Sequence, residues 1–308
     1  MKRMLSILLS VSTVVFLGVS TTSRSEEVNE VNPLASINFY GGAERGINTS
    51  AGPLGGTELL GVVPLIGNFG FQSSLGWEGG NDVFRTLVGG GPLYSYSSGK
   101  FGLFVQYEYK QTPLAKVDRT LKSLPLPDGS GTGNLQDGSG TRNNFIFLRA
   151  VWAHYFDTFD FVLSYVQPVY HIQHSSALEF HGNTRNPPCI PKKDLTMNVL
   201  SAILNFYPTP DIQLNGGFLV NSFAGPTRNE SGTGVGGSFG ASYKIIGPMV
   251  LNLVQGQFDS RSRYRVSSGI QFFWAPPAVE KTLKQERETT LAALATGTAG
   301  AAFTSGCN

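Results

Sequence analysis

Charge is scarce in this chain. Asp, Glu, Lys and Arg make up 14% of its 308 residues, against roughly 25% in ordinary water-soluble domains. The two signs nearly cancel, at 23 basic and 21 acidic residues. With a net charge of +2 and no long basic run, the chain lacks the electrostatic footprint of a nucleic-acid-binding protein. Cysteine is scarcer still. Cys189 and Cys307 are too few for a disulfide-stapled scaffold or a cysteine zinc site. Beyond the N-terminal segment no run of about 18 consecutive apolar residues occurs, which excludes a bundle of membrane-spanning helices. What is abundant is glycine, with 38 residues, and aromatic side chains, with 21 Phe and 11 Tyr.

The N-terminus, MKRMLSILLSVSTVVFLGVSTTSRSEE, places Lys2 and Arg3 before an apolar stretch from Leu5 to Val19, followed by small polar residues. That order is the one of a secretory signal, and the apolar stretch is short for an anchor. The expectation is a signal peptide over 1–25 and a periplasmic lead over 26–34. The exported chain then meets an oxidising compartment, where two cysteines could pair.

The remainder alternates in polarity. In FGFQSSLGW, Phe69, Phe71, Leu75 and Trp77 share one parity, while Gly70, Gln72, Ser74 and Gly76 share the other. In FGLFVQYEY, Phe101, Leu103, Val105, Tyr107 and Tyr109 stand against Gly102, Phe104, Gln106 and Glu108. IQLNGGFLVN, TGVGGSFGASYKI and YRVSSGIQFFW repeat the pattern, whereas NVLSAILNFY and VLNLVQGQF can be assigned either way. A period of two is the signature of strands. Twelve such segments read at 35–44, 57–66, 69–78, 83–96, 101–111, 144–156, 159–171, 196–207, 211–223, 233–245, 249–258 and 263–274.

The links carry a second signal. Tight turns are expected at Gly67–Asn68, Ser97–Lys100, Asp157–Thr158, Pro208–Pro210 and Ile246–Pro248, alternating with links at 45–56, 79–82, 112–143, 172–195, 224–232 and 259–262. Alternating short and longer links, with an apolar parity and a small polar one, predict an all-β, up-and-down antiparallel transmembrane β-barrel of about twelve strands over 35–274. Strands can span a bilayer only if every edge is paired. The apolar parity then faces acyl chains and the small polar parity lines a lumen.

These features resemble the class of Gram-negative outer-membrane β-barrels. The last strand, ending GIQFFW, looks like the aromatic-ended signal read by the barrel assembly machinery, although the chain runs on past Trp274. A barrel of about twelve strands also resembles autotransporter translocators, but neither flank of this chain has the length of a passenger. The resemblance implies the outer membrane as location and lipid as surroundings, and homo-oligomers remain open.

Charges on the inner parity are the candidates for lining the lumen: Glu44, Glu78, Glu108, Lys110, Arg149, Lys244 and Arg265. An Arg or Lys facing lipid at mid-depth costs about 2–4 kcal/mol, so these should point inward. Arg85 lies in a segment of unassigned parity. Trp77, Tyr109, Trp152, Tyr207, Tyr264 and Trp274 fall near strand ends and are candidates for the interfacial girdles, where amphipathic rings sit at headgroup depth. After Pro276–Pro277 the composition changes, and Val279–Ala295 reads as a short helix in a periplasmic extension over 275–308. Its readings are a plug or periplasmic contact, or a loosely ordered tail.

Catalysis finds no support. His174–Ser175, with Glu179 nearby, is the one His–Ser neighbour pair, and no oxyanion motif follows it. His171, His174, His181 and Cys189 lack zinc spacing. The doubled DGSGT from Asp128 has too few acids for a calcium loop. GTGVGGSFG from Gly232 lacks the strand-to-helix setting of a nucleotide loop. No enzyme, cofactor or metal is expected. The leading expectation is a narrow channel for passive diffusion of small hydrophilic solutes or ions. The alternative is a closed barrel with a structural, adhesive or surface-interaction role through the outer links 112–143 and 172–195. On this topology Cys189 lies outside and Cys307 on the periplasmic side, so they pair only if the tail threads the lumen.

Overall fold

The computed structural model describes residues 31–45, 52–80, 84–113, 140–175, 196–224, 232–259, 264–274 and 281–291. The strands are β1 (Leu34–Arg45), β2 (Gly52–Pro64), β3 (Phe69–Gly80), β4 (Phe84–Tyr96), β5 (Gly99–Pro113), β6 (Gly140–Tyr155), β7 (Phe159–Ser175), β8 (Thr196–Thr209), β9 (Ile212–Ala224), β10 (Gly232–Ile246), β11 (Met249–Asp259) and β12 (Tyr264–Trp274). A helix, α1 (Leu283–Thr289), follows them. The expected periodicity and the observed strands agree segment by segment, within a few residues at most ends. The largest difference is β2, which starts at Gly52 rather than at residue 57.

Each strand pairs antiparallel with its sequence neighbours, and β1 pairs with β12 from Ala35↔Trp274 to Arg45↔Tyr264, so the sheet closes. The five tight connections all lie at one end of the barrel. Gly67 and Gly247 occupy two of them at φ of 55° and 52°, a backbone region where a Cβ is strained. The expected Pro208–Pro210 link is shorter than its prolines imply: β8 continues through Thr209, and the turn is confined to Pro210 and Asp211. The other six links fall outside the described residues, as do the first DGSGT, residues 137–139 of the second, whose Gly140 and Thr141 open β6, and His181, Cys189 and Cys307. His171 and His174 lie on the backbone of β7, with side chains outside the described set.

The polarity is inverted relative to a water-soluble protein. In β3, Phe69, Phe71 and Trp77 are exposed, while Gln72, Ser74 and Glu78 are buried. Val105, Phe218, Leu253 and Phe258 are likewise more than half exposed on the outer wall. Leaving such a side chain in water forgoes about 1.5–3 kcal/mol each. A continuous apolar outer surface around a paired sheet is what a hydrocarbon layer wets.

Strict alternation fails in β11, and the cause is local. The pairing with β12 shifts between Asn252 and Gln255, where β11 carries one extra residue. Such a bulge resets which parity faces inward. Asn252 and Gln255 therefore both reach the lumen, while Leu253 faces out.

Candidate functional site

The lumen divides into three layers. The layer at the long-link end is a cluster of paired charges. Register sets Glu78 beside Arg85, and Arg85 beside Lys110. Glu78 is the hub. It accepts a hydrogen bond from Arg85 Nη1 at 2.7 Å, one from the Tyr40 hydroxyl at 2.9 Å, and a third from Arg265 Nη2. Arg85 Nε also lies 3.1 Å from Glu108 Oε1. Glu78, Arg85, Glu108, Lys110 and Arg265 are all buried, and Glu44 is half-buried at the rim. Low exposure strengthens these attractions but also removes the charges from water, so each depends on its partners.

The middle layer is a polar cavity of about 260 Å³ whose lining includes Glu58, Arg149, Ser164, Asn215, Arg265 and Arg287. Arg149 Nε donates to Ser164 Oγ at 3.1 Å.

The third layer, at the short-turn end, is filled by α1. The expected extension thus has residues 281–291 packed inside the barrel rather than beyond it. Thr282 caps the helix: its hydroxyl accepts from the Gln285 backbone N–H, and the Gln285 side chain accepts from the Thr282 N–H. The barrel satisfies further groups at both helix ends. Leu283 N donates to Asp211 Oδ1 at 3.1 Å, and Lys284 N to the Pro210 carbonyl at 3.0 Å. Lys100 Nζ donates to the Thr289 carbonyl at 2.9 Å, where a helix C-terminus leaves its carbonyls unpaired and favours a cation. Lys244 Nζ pairs with Glu286 at 2.9 Å and also donates to the Lys281 carbonyl. Lys284 Nζ pairs with Asp160 at 3.0 Å and with Glu288, and lies 5.0 Å from the Tyr207 ring centre.

The seat is also apolar. Leu283 and Leu291 have no exposed surface and join a lumen-side cluster with Leu60, Val62, Leu93, Phe104, Val250 and Phe273. Gly102 makes room for it, since a Cβ there would fall 2.6 Å from both Leu291 Cδ1 and the Phe104 ring. Within the helix, burial holds the Glu286 carboxyl above its usual range in spite of Lys244, and burial lowers Arg287.

The seven lumen candidates therefore distribute over the layers. Glu78, Glu108, Lys110 and Arg265 converge at the long-link end with Glu44 at their rim, Arg149 stands in the middle, and Lys244 holds the helix. Among the aromatic candidates, Trp77 and Tyr264 are exposed on the outer wall at the long-link end, and Trp274 at the short-turn end. Tyr109 is half-buried, its hydroxyl donating to Gln111 Oε1 at 3.2 Å. Trp152 is half-buried against His154 and Phe161. Tyr207 is a correction. Phe206 takes the outward position, so Tyr207 points into the lumen, 3% exposed, where its hydroxyl accepts from Gln213 Nε2 at 3.3 Å.

Sequence reading missed Glu58, Asp160 and the inward side of Arg85, and it placed Gln72 on the inner parity without its bond to the helix segment. The inward apolar residues of β2 and β5, Leu60 and Phe104, were the unused signal for an occupant of the lumen. His154 touches the Tyr96 and Ser98 hydroxyls at 3.5 Å and the rings of Trp152 and Phe156, and no carboxylate is among these contacts. Among the described residues no three His, Cys, Asp or Glu side chains converge as metal ligands.

No protein-family model and no curated protein matches the chain. Solved barrels do. An outer membrane channel from Pseudomonas putida F1 aligns over 83% of this chain and 99% of its own at 9% identity, with a TM-score of 0.49. The NanC porin aligns over 77% of this chain and 98% of its own at 11% identity, with a TM-score of 0.44. The translocator domain of the autotransporter NalP from Neisseria meningitidis aligns over 89% and 95%, at 12% identity and a TM-score of 0.42. These values describe likeness of barrel shape and carry nothing about solutes.

Proposed function

We propose that the chain is an outer-membrane channel for small hydrophilic solutes or ions whose periplasmic mouth is held shut by its own C-terminal helix. The short turns mark the periplasmic end, as in barrels of this type. The export signal over 1–25, the lead over 26–34 and recognition of the GIQFFW strand by the barrel assembly machinery fit the same reading, in which no catalytic step is assigned. One observation carries it: a polar lumen enclosed by an apolar-surfaced wall holds, packed at its short-turn end, a short helix that is not part of that wall. A permanently closed barrel has no need of a separate plug joined to it by a linker.

The test is conductance in planar bilayers, comparing the full chain with Leu283→Asp. A carboxylate in the apolar seat, beside Asp211, expels the helix. The full chain should be mostly silent and the variant should show stable conducting steps. Heat-modifiable gel mobility verifies that both are folded.

The alternative, a closed barrel with a structural or surface role, draws on the buried charge cluster at the long-link end, which fills the lumen there. On that reading Leu283→Asp stays as silent as the full chain.

A further inference from the structure

The cavity between the charge cluster and the helix holds polar groups that the protein leaves unsatisfied. Among the described residues, Glu58 Oε1, Arg265 Nη1 and Arg287 Nε are buried without a hydrogen-bond partner. Glu58 is 7% exposed and has no ion pair among the described residues. Arg149, 5% exposed, has its single hydrogen bond to Ser164 and no carboxylate within ion-pair distance among those residues. Arg287 comes from the plug rather than the wall. It is oriented by Nη2 donating to Asn252 Oδ1 at 3.2 Å and by the Phe273 ring, 5.5 Å from its guanidinium carbon. All four side chains line the same cavity.

Buried charges without partners are costly, and their signs here are mixed in a specific way. Arg149 and Arg287 offer donors to an anion. Glu58 offers an acceptor that lacks a donor. Arg265 has one nitrogen committed to Glu78 and another free. Glu58 acts electrostatically on Arg149, Arg265 and Arg287 together, so this one carboxylate cannot balance the guanidiniums that share it, and water that fills the space adds no charge. A cavity of about 260 Å³ is many times what a single water needs, enough for a solute of a few carbons.

We infer that this cavity is a binding site for a small carboxylate that carries its own hydrogen-bond donor, its carboxylate held between Arg149 and Arg287 and its donor on Glu58. The shared chemistry fits a hydroxy acid or an amino acid zwitterion, and the experiment separates the two. The inference goes beyond the channel reading, because binding does not require that the barrel conduct. It also makes the plug part of the site, through Arg287.

The test is isothermal titration of the full-length, detergent-solubilised barrel at constant ionic strength with four three-carbon probes: glycerate, serine, propionate and glycerol. Glycerate or serine should bind at least about tenfold more tightly than propionate, which lacks the donor, and than glycerol, which lacks the charge. Preference for glycerate assigns a hydroxy acid, and preference for serine assigns a zwitterion. Arg149→Gln and Arg287→Gln should each weaken the preferred probe about tenfold. Glu58→Met, which removes the acceptor and keeps the volume, should erase the margin over propionate. Equal responses to all four probes overturn the site, as does an unchanged affinity in folded Arg149→Gln. Where that variant does not reach the folded mobility, the probe comparison on the unmodified chain decides alone. A silent barrel that discriminates the probes refutes the channel and keeps the site, and a conducting one that does not discriminate does the reverse.

Discussion

Gln72 and Leu291 are joined by two hydrogen bonds across the lumen. The Gln72 Nε2 donates to the Leu291 carbonyl and the Leu291 N–H donates to Gln72 Oε1, each at 2.9 Å. A side-chain amide on β3 thus satisfies both backbone groups of a residue just past the end of α1, much as a neighbouring strand would. Both residues are fully buried.

Gln72→Ala removes both bonds and leaves two backbone groups unpaired. An unsatisfied buried group costs about 1–3 kcal/mol. Docking of the helix should weaken by that order while the wall, which does not depend on this contact, keeps its stability. Hydrogen exchange at residues 283–291 should quicken, with the strand amides and the heat-modifiable gel shift unchanged. A loss of barrel stability in step with helix exchange contradicts the separation of plug from wall.

Gly102 offers the complementary test, by crowding rather than by loss. A side chain there meets Leu291 Cδ1 and the Phe104 ring at 2.6 Å from its Cβ. A methyl can be accommodated by small movements of these side-chain ends. Gly102→Leu cannot, and overpacking of this kind costs about 1–3 kcal/mol. Gly102→Leu should raise the open fraction in planar bilayers, and a second change, Leu291→Ala, should restore part of the closure by vacating the contested volume. Additive effects of the two changes rule out the contact.

The barrel was legible in the sequence because a period of two, read against turn chemistry, fixes which side of each strand faces which medium. Phe69, Phe71 and Trp77 against Gln72 and Ser74 sufficed for β3. The failures have physical causes. In β11 the extra residue between Asn252 and Gln255 flips the parity midway, so no single assignment fits VLNLVQGQF. In β8 both Phe206 and Tyr207 are aromatic, and the contacts that go with the inward one are to Gln213, across the next turn, and to Lys284 of the distant helix. Phe104 stood among the small polar residues of its parity and had no explanation until α1 supplied one. Arg85 joined Glu78 only through strand register. Periodicity reports the medium each side chain faces, but not which inward side chains meet.

The helix also carries a pH dependence. Burial raises the Glu286 carboxyl above its ordinary value of 4.5, in spite of Lys244 on β10 and of Lys281 and Arg287 on its own segment. The docked form therefore holds that proton more tightly than the undocked form. Docking strengthens as pH falls from the raised value toward the ordinary one, weakens as pH rises through the same range, and levels off outside it. The open fraction of the full chain should fall from neutral to mildly acid solution. Glu286→Gln fixes the side chain in its uncharged form and should flatten this part of the response. A full chain that opens on acidification has the opposite sign and contradicts the assignment.

The charge cluster at the other end predicts a stability effect instead. Glu78 holds Arg85, Arg265 and the Tyr40 hydroxyl together. Glu78→Gln keeps the shape and removes the charge. It leaves Arg265 without a carboxylate in ion-pair contact among the described residues, while Arg85 keeps Glu108. Removing one partner of a buried pair costs about 3–5 kcal/mol. The temperature at which the folded gel band converts to the unfolded one should drop for Glu78→Gln. Adding Arg265→Gln removes the stranded charge, so the double variant should recover part of the loss. Recovery requires that the two side chains be energetically coupled, which a cycle of single and double variants measures directly. If the losses simply add, the contact between Glu78 and Arg265 contributes nothing to holding β3 against β12 across the lumen, and the cluster acts only as filler at the outer mouth.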